Sequence, residues 1–165
     1  MNKLINPLIA AFGGFLCILT LSFLNSLNEA YIWLIPPFGA TLVLVMSVHK
    51  SPLAQPKNIF FGHVLSGLSG LIVITLIGSN VYCLGLGVGL AILIMMITNT
   101  VHPPAGGNPL IVILGDQTLS FIFMPLAAGS VMIIFFAVIY NKIFRRSYPF
   151  KNWRMEFIYF HSFCI

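Results

Sequence analysis

The chain is too apolar and too sparsely charged to be a water-soluble domain. Of its 165 residues, 59% are hydrophobic and 7% are charged, whereas soluble domains carry about 25% charged residues. Its formal charge of +5 comes largely from a basic stretch between Lys142 and Arg154, which is typical of the cytoplasmic flank of a membrane segment rather than of a nucleic-acid site. We therefore expect an all-α membrane protein whose main partner is the lipid bilayer, with no nucleic acid.

The first half of the chain predicts three membrane segments. Residues 7–24 form the first. Lys3 before an apolar run also fits a signal peptide, but this run is longer than a signal core and lacks a small-x-small cleavage site, so we expect a retained helix. Residues 31–48 form the second segment, interrupted by Pro36, Pro37 and Gly39. A polar loop follows, and residues 59–77 form the third.

The second half repeats this order. Residues 82–97 predict a fourth helix, and a polar stretch rich in Pro and Gly leads to a short apolar piece at residues 109–114. Residues 121–140 are the last clear span. We expect residues 1–146 to form the transmembrane bundle. The tail, residues 147–165, mixes aromatic and basic side chains, which is typical of a segment lying in the membrane interface.

An internal repeat supports this division. Pro36-Pro37-Phe38-Gly39 heads one middle segment and Pro103-Pro104-Ala105-Gly106 heads the other, so repeat one covers about residues 7–79 and repeat two about 82–141. If each repeat crosses the membrane three times, all Lys and Arg residues lie on the cytoplasmic side with both termini, as the positive-inside rule requires. Two three-segment repeats then enter from opposite sides, an inverted arrangement with broken middle helices that transporters use.

The two breaks predict a binding site. Backbone that leaves the helix at membrane depth must be buried in protein or line a cavity, and each new helix start presents backbone N–H groups and a positive dipole end to an anion. We expect Thr41 or Asn108 to cap these starts through a side-chain oxygen. The alternative is that the glycines only permit close helix packing. The candidate substrate-binding residues are Gly39, Ala40, Thr41, Asn99, His102, Gly106, Gly107 and Asn108.

Histidines supply the main titratable chemistry. His102 follows a polar run at membrane depth, so its imidazole is a candidate anion donor or proton carrier; the alternative is a neutral ring that bonds a backbone carbonyl. We expect His49 and His63, which flank the polar loop, to lie at the interface. The few carboxylates form no acid/base pair, and no zinc or phosphate-binding motif is present. We therefore expect no enzyme activity, no metal and no cofactor.

Several of these motifs together resemble one family. The His102-Pro103-Pro104 triplet, the Pro37–Thr41 segment, the Ser51–Asn58 loop leading into Gly62-His63, and the Thr98–Pro109 stretch are similar to the HPP family of small integral membrane proteins. The resemblance covers about residues 7–140 and leaves out the aromatic tail. Members of that family in plant chloroplasts and cyanobacteria are associated with nitrite transport, so the resemblance implies a nitrite transporter or channel, with four or five spans as usually described.

The resulting hypothesis is a transporter or channel for a small monovalent inorganic anion bound at facing helix N-termini near the bilayer midplane. The resemblance selects nitrite, whereas composition and spacing alone leave nitrate, formate and chloride open. One alternative is a non-transporting membrane scaffold whose basic tail recruits a partner or anionic lipid. Another is a proton-coupled carrier of a small organic acid. We expect a multi-pass protein of a bacterial inner membrane rather than a chloroplast envelope, and so few spans leave room for a homo-oligomer.

Overall fold

The computed structural model describes residues 4–27 and 32–150, and the regular structure within them is helical. Within these residues six helices follow one another, with short 3₁₀ turns at Pro52–Ala54 and Pro103–Gly107. They are α1 (Ile5–Leu27), α2 (Pro36–Ser47), α3 (Pro56–Ile77), α4 (Val81–Ile97), α5 (Asn108–Leu114) and α6 (Leu119–Ile143). The predicted interfacial segment lies outside the described residues from position 151 onward.

Among the helices of residues 4–27 and 32–150, three are long and apolar enough to cross a membrane. α1, α3 and α6 have 23, 22 and 25 residues, which at about 1.5 Å per residue exceeds the roughly 30 Å of a hydrocarbon layer. α2 and α4 are shorter apolar helices. α5 has only seven residues and rises about 10 Å, so it can cross only with the irregular segments next to it.

Lipid-facing surface is extensive on these helices. Large apolar side chains such as Phe15 on α1, Leu76 on α3 and Phe135 on α6 are 60%, 77% and 63% exposed. A water-soluble protein rarely leaves so much contiguous apolar area uncovered. The described residues therefore form a multi-pass helical membrane bundle.

Proline determines where several helices begin. α2, α3 and α5 each have Pro at one of the first two positions, where the missing N–H would have had no intrahelical partner. The predicted side-chain caps are wrong: the residues that precede α2 and α5 are Ile35 and Gly107, and neither helix has a side-chain capping bond. Thr41 and Asn108 instead turn toward the centre of the bundle, as described below.

Helix α3 is the centre of the bundle and packs closely through glycine. A Cβ built on Gly70 would lie 2.8 Å from Pro109 Cα, and one on Gly87 of α4 would lie 2.8 Å from Ile113 Cδ1. Small residues let membrane helices approach this closely. Close packing drives their association, since lipid offers no hydrophobic drive for it. α5 is thereby held between α3 and α4.

Helix α6 contains an interruption that the apolar run 121–140 did not reveal. Its backbone widens into a π-type turn at Ile122–Ala127, where Met124 leaves the helical conformation at φ −138° and ψ 115° before Pro125. Proline removes one hydrogen-bond donor and crowds the preceding turn, which accounts for the break.

The chain runs repeatedly between two ends of the bundle. One end carries Lys50, Arg145 and Arg146, and we call it the basic end. There Asn58 Nδ2 donates to Val101 O at 2.9 Å and Tyr148 Oη donates to Ala54 O at 3.0 Å. At the opposite end, Asp116 shares a cavity of about 430 Å³ with Thr75, near the end of α3. The segment between Val101 and Asp116 therefore leads from one end to the other instead of folding back.

Candidate functional site

The starts of the two short helices meet in the middle of the bundle. A Cβ built on Gly107, just before α5, would lie 3.4 Å from Pro37 Cγ in the first turn of α2. From this contact α2 runs toward the basic end and α5 runs away from it. Asn108 contacts His63 and Ser66, which lie close to the middle of α3. The two helix starts therefore meet at about mid-height.

Four buried polar side chains adjoin this meeting point and form what we call the polar cluster. Thr41, His63, His102 and Asn108 are each 0% exposed. Thr41 Oγ1 lies 2.9 Å from His63 Nε2 and 2.9 Å from His102 Nε2. Asn108 Nδ2 lies 3.0 Å from His63 Nδ1. The cluster joins α2, α3, α5 and the turn before α5, because each of these segments contributes one member.

The ends of the cluster determine where its hydrogens lie. Leu53 O accepts a hydrogen bond from His102 Nδ1 at 2.8 Å, so His102 Nε2 carries a lone pair when the ring is neutral. Asn108 Nδ2 donates to His63 Nδ1, so His63 Nε2 carries the hydrogen and donates to Thr41 Oγ1. The Thr41 hydroxyl then donates to His102 Nε2. This assignment follows from the bonding pattern and leaves no two donors facing each other.

Asn108 has one polar atom without a partner in the part of the chain that the structure describes. Its Nδ2 also donates to Ser66 Oγ at 2.8 Å and to His63 O at 3.2 Å, and the carbonyl of His63 fixes the orientation of the amide because it can only accept. Asn108 Oδ1 is buried and has no partner among the described residues. A buried acceptor without a donor is costly, so this atom is a candidate point of contact for a ligand that donates a hydrogen.

The cluster is tightly packed. Cavities of about 430 and 300 Å³ lie at the opposite and basic ends of the bundle, respectively. Neither is lined by a member of the polar cluster. Phe38 packs its ring against His63 with centroids 5.1 Å apart, which closes the cluster further. In this conformation the middle of the bundle is shut.

The structure brings together only some of the residues that the sequence singled out. Thr41, His102 and Asn108 are joined in the cluster, whereas Gly39, Ala40 and Asn99 lie exposed on the surface. Gly106 and Gly107 are half-buried. The first turn of α2 offers an anion few backbone donors, since its two prolines have no N–H and Phe38 N donates to Ile35 O.

His63 was placed wrongly by the sequence. We expected it at the interface, but it is fully buried and bonds both Thr41 and Asn108. A signal for this was available: small and polar residues recur along one side of α3, and they are buried in the structure. These are Gly62, His63, Ser66, Gly67, Ser69 and Gly70. Such a stripe in an apolar helix indicates the face that meets other helices.

Metal binding finds little support in this arrangement. Within residues 4–27 and 32–150, no three His, Cys, Asp or Glu side chains come together as a metal site would need. The two imidazoles of the cluster lie with ring centroids 5.1 Å apart, and their Nε2 atoms both contact the Thr41 hydroxyl. The cluster is organised for hydrogen bonding.

Comparison with known proteins agrees with this membrane architecture. A family model described as the HPP transmembrane region matches residues 2–149. Two proteins of Dictyostelium discoideum, each named only as a transmembrane protein, are 36% and 35% identical to this chain over alignments of 155 residues. Each alignment covers 88% of this chain. The chain spans about half of their length, 54% and 50% respectively. No solved structure matches.

Proposed function

This chain belongs to the HPP transmembrane family, and from that premise we propose that it is a membrane transporter or channel for a small monovalent anion, with nitrite tested first. The observation that carries the proposal is the meeting of two oppositely directed helix starts beside a buried polar cluster, since half-helices that meet at the membrane midplane are how many transporters build a substrate site. Buried polar groups at membrane depth are costly and are usually retained for function.

The proposed topology is six crossings in two inverted repeats, with both termini in the cytoplasm. It is supported by the path of the second short segment, because His102 bonds Leu53 O near the basic end while Asp116 lies beside Thr75 at the other. The basic residues Lys50, Arg145 and Arg146 border one cavity at the basic end. Lys and Arg favour the cytoplasmic side, so we place that end there, in a bacterial inner membrane.

Transport in this proposal requires the polar cluster to open. Thr41 bonds two imidazoles from different segments, so separating α2 from α3 and from the His102 turn exposes hydrogen-bonding groups in the middle of the bundle. The freed Thr41 hydroxyl and His63 Nε2–H can then donate to an anion. The positive ends of α2 and α5 add favourable electrostatics.

Anion flux into liposomes containing the purified chain tests the proposal. Nitrite, nitrate, formate and chloride are compared at equal concentration, with protein-free liposomes as background. Thr41→Val should lower the flux, since it keeps the shape of the side chain and removes the hydroxyl. Thr20→Val is the matched control, because Thr20 is an exposed residue of α1 and its hydroxyl, like that of Thr41, lies within hydrogen-bond distance of the carbonyl four residues earlier.

Two glycines allow a second test that folding does not confound. A Cβ on Gly39 or on Gly106 would meet nothing within 4 Å, so Gly39→Leu and Gly106→Leu should insert and fold. If these glycines border the pathway, flux falls in both variants. His102→Ala then assigns the imidazole: unchanged flux makes it structural, and lost flux places it in the pathway. Flux indistinguishable from protein-free liposomes, measured with folded protein, would refute transport and favour the scaffold.

A second candidate function is proton-coupled transport of a small organic acid. The favouring observation is that Thr41 Oγ1 has another acceptor, Pro37 O at 3.1 Å. When His102 takes up a proton at Nε2, the Thr41 hydroxyl can turn to Pro37 O and accept from both imidazoles, so each donor keeps a partner. Uptake of lactate or acetate that follows an imposed pH gradient would favour this candidate; nitrite flux that ignores the gradient would favour the first.

A further inference from the structure

A second polar site lies at the basic end, apart from the polar cluster. It is a cavity of about 300 Å³ where the start of α1, the end of α2 and the end of α6 come together. Its lining is Asn6, Ser47, His49, Lys50, Arg145, Arg146 and Ser147. None of these described lining residues is acidic. We call this region the basic cavity.

Arg146 is held rigidly at the wall of the basic cavity. Its Nη1 donates to Met46 O at 2.8 Å and its Nη2 donates to Asn6 O at 3.1 Å. These two bonds tie the turn after α6 to the last turn of α2 and the first turn of α1. Both partners are neutral carbonyls, so the positive charge is positioned without being neutralised.

Arg145 adopts a backbone conformation that normally belongs to glycine. Its φ is +54°, in the left-handed region that is unfavourable for residues with a Cβ. It follows α6 in the turn where Arg145 N donates to Lys142 O and Arg146 N donates to Asn141 O, a helix ending in which glycine is the usual residue. Backbone strain retained at such a position favours a role for the side chain.

His49 completes the cavity with an unpaired ring nitrogen. Its Nδ1 is buried and has no hydrogen-bond partner among the described residues. Burial, and then the charges of Arg146 and Lys50, lower the pKa of His49. Arg145 is the other charged group that borders the cavity, whereas α1 and α2 contribute the neutral Asn6 and Ser47. The local electrostatics therefore favour an anion that would offset these charges.

We propose that the basic cavity binds a phosphate-class oxyanion at the membrane surface. Lys50, Arg145 and Arg146 bring three positive charges to one cavity, which matches a group with several oxygens and more than one negative charge better than nitrite, with its single charge. Arginine forks pair with such oxygens through parallel hydrogen bonds. The phosphate belongs either to a lipid headgroup or to a soluble ion, and the experiment separates these sources.

Ligand-induced stabilisation of the full chain in neutral detergent measures the binding. Unfolding temperature is recorded with inorganic phosphate against sodium chloride of equal ionic strength, and with short-chain phosphatidic acid against phosphatidylcholine of equal chain length. A ligand that binds only the folded state raises the unfolding temperature, and the rise grows with the logarithm of the ligand concentration relative to the dissociation constant. A rise with phosphate identifies a soluble oxyanion, and a rise with phosphatidic acid alone identifies a lipid headgroup; either result supports the site.

Arg145→Gly is the decisive variant. Glycine suits the left-handed turn, so the fold is kept while one charge is removed, and binding should weaken about tenfold or more, as expected for loss of a charged hydrogen bond. Lys57→Gln removes an equal charge from an exposed residue outside the lining and should bind as the unmodified chain does. Lys50→Gln should weaken binding as well, because Lys50 lines the same cavity. If both Arg145→Gly and Lys50→Gln bind as tightly as the unmodified chain, or if no ligand acts beyond the chloride and phosphatidylcholine controls, the proposal is overturned. Because binding is measured without flux, this result is independent of anion transport.

Discussion

At the scale of single residues, Thr41 carries an unusual share of the interactions. Among the described residues, its hydroxyl is the one group that both buried imidazoles contact by a hydrogen bond. The same hydroxyl also lies within hydrogen-bond distance of Pro37 O. The outer ring nitrogens are bonded separately, His63 Nδ1 by Asn108 and His102 Nδ1 by Leu53. Loss of one oxygen atom therefore leaves two buried nitrogens without partners.

Thr41→Val should consequently destabilise the chain by about 2–4 kcal/mol, because an unsatisfied buried polar group costs about 1–3 kcal/mol. Thr41→Ser keeps the hydroxyl and should recover most of the loss. Reversible unfolding in mixed micelles measures both variants. Thr20→Val, at a site exposed on α1, should change the stability by less than about 0.5 kcal/mol. Equal stabilities for the two Val variants would mean that the cluster contributes nothing to the fold.

At the scale of helices, the apolar runs predicted well where each helix begins and ends in the chain. They predicted poorly which face of each helix packs against other helices. The sequence predicted residues 59–77 and 82–97, and the structure has Pro56–Ile77 and Val81–Ile97, because membrane helices end where polar and Pro-rich segments begin. Position within the bundle was harder. In lipid a helix can be apolar on all sides, so periodicity does not indicate its buried face, and the burial of His63 was missed for this reason.

The candidate site was predicted in part. Thr41, His102 and Asn108 were recognisable as polar residues beside helix breaks, and the structure joins them. That Gly39, Ala40 and Asn99 would lie on the surface could not be inferred, because a Pro-Gly break gives no information about which direction its residues face. These residues can face lipid, a second copy of the chain or an opened pathway. Which of these they face depends on neighbouring segments that the sequence pattern does not specify.

Close packing of α3 on α5 gives a prediction about glycine. Gly70→Ala would place a methyl group 2.8 Å from Pro109 Cα and 3.0 Å from Val112 Cβ, so the helices must separate, at a cost of about 1–3 kcal/mol for overpacking. Gly14→Ala is the matched control, since a Cβ there meets nothing within 4 Å. Thermal unfolding should show a lower midpoint for the first variant only. A midpoint unchanged by Gly70→Ala would contradict the observed contact.

The path of the second short segment gives a prediction about sidedness. In a background with Cys164→Ser, Lys57→Cys and Thr118→Cys each place a thiol at an exposed residue, at opposite ends of the bundle. The remaining Cys17 and Cys83 are buried. A membrane-impermeant maleimide should label Thr118→Cys from the outside and Lys57→Cys only after the membrane is opened. Labelling of both from one side would exclude six crossings.

At the scale of the whole molecule, the chain closes on itself at the basic end. Tyr148 Oη donates to Ala54 O, and Phe150 N donates to Gln55 Oε1 at 2.8 Å. Burial raises the pKa of Tyr148, so its hydroxyl stays protonated and able to donate. The residues just after α6 are therefore part of the bundle, although the sequence assigned position 147 to the tail.

Truncation after Phe150 should therefore be tolerated, whereas truncation after Arg146 should not. The shorter deletion keeps both bonds to the Pro52–Ala54 turn and Gln55, and the longer one removes them and should cost about 1–3 kcal/mol for two lost hydrogen bonds. Anion flux should survive the shorter deletion if the chain is a transporter. Loss of a cellular role with intact flux would instead support a scaffold that acts through its tail.

The chemistry at the two ends of the polar cluster has a consequence for an energised membrane. Leu53 contributes a backbone carbonyl and Asn108 a side-chain amide, and neither group readily passes a proton onward. The two imidazoles and the hydroxyl between these groups can relay a proton among themselves. They cannot pass it to Leu53 or Asn108 at either end of the cluster. Protons can be exchanged with water only when these end bonds break. If the chain is a transporter, this arrangement keeps its closed state from dissipating the membrane's proton gradient.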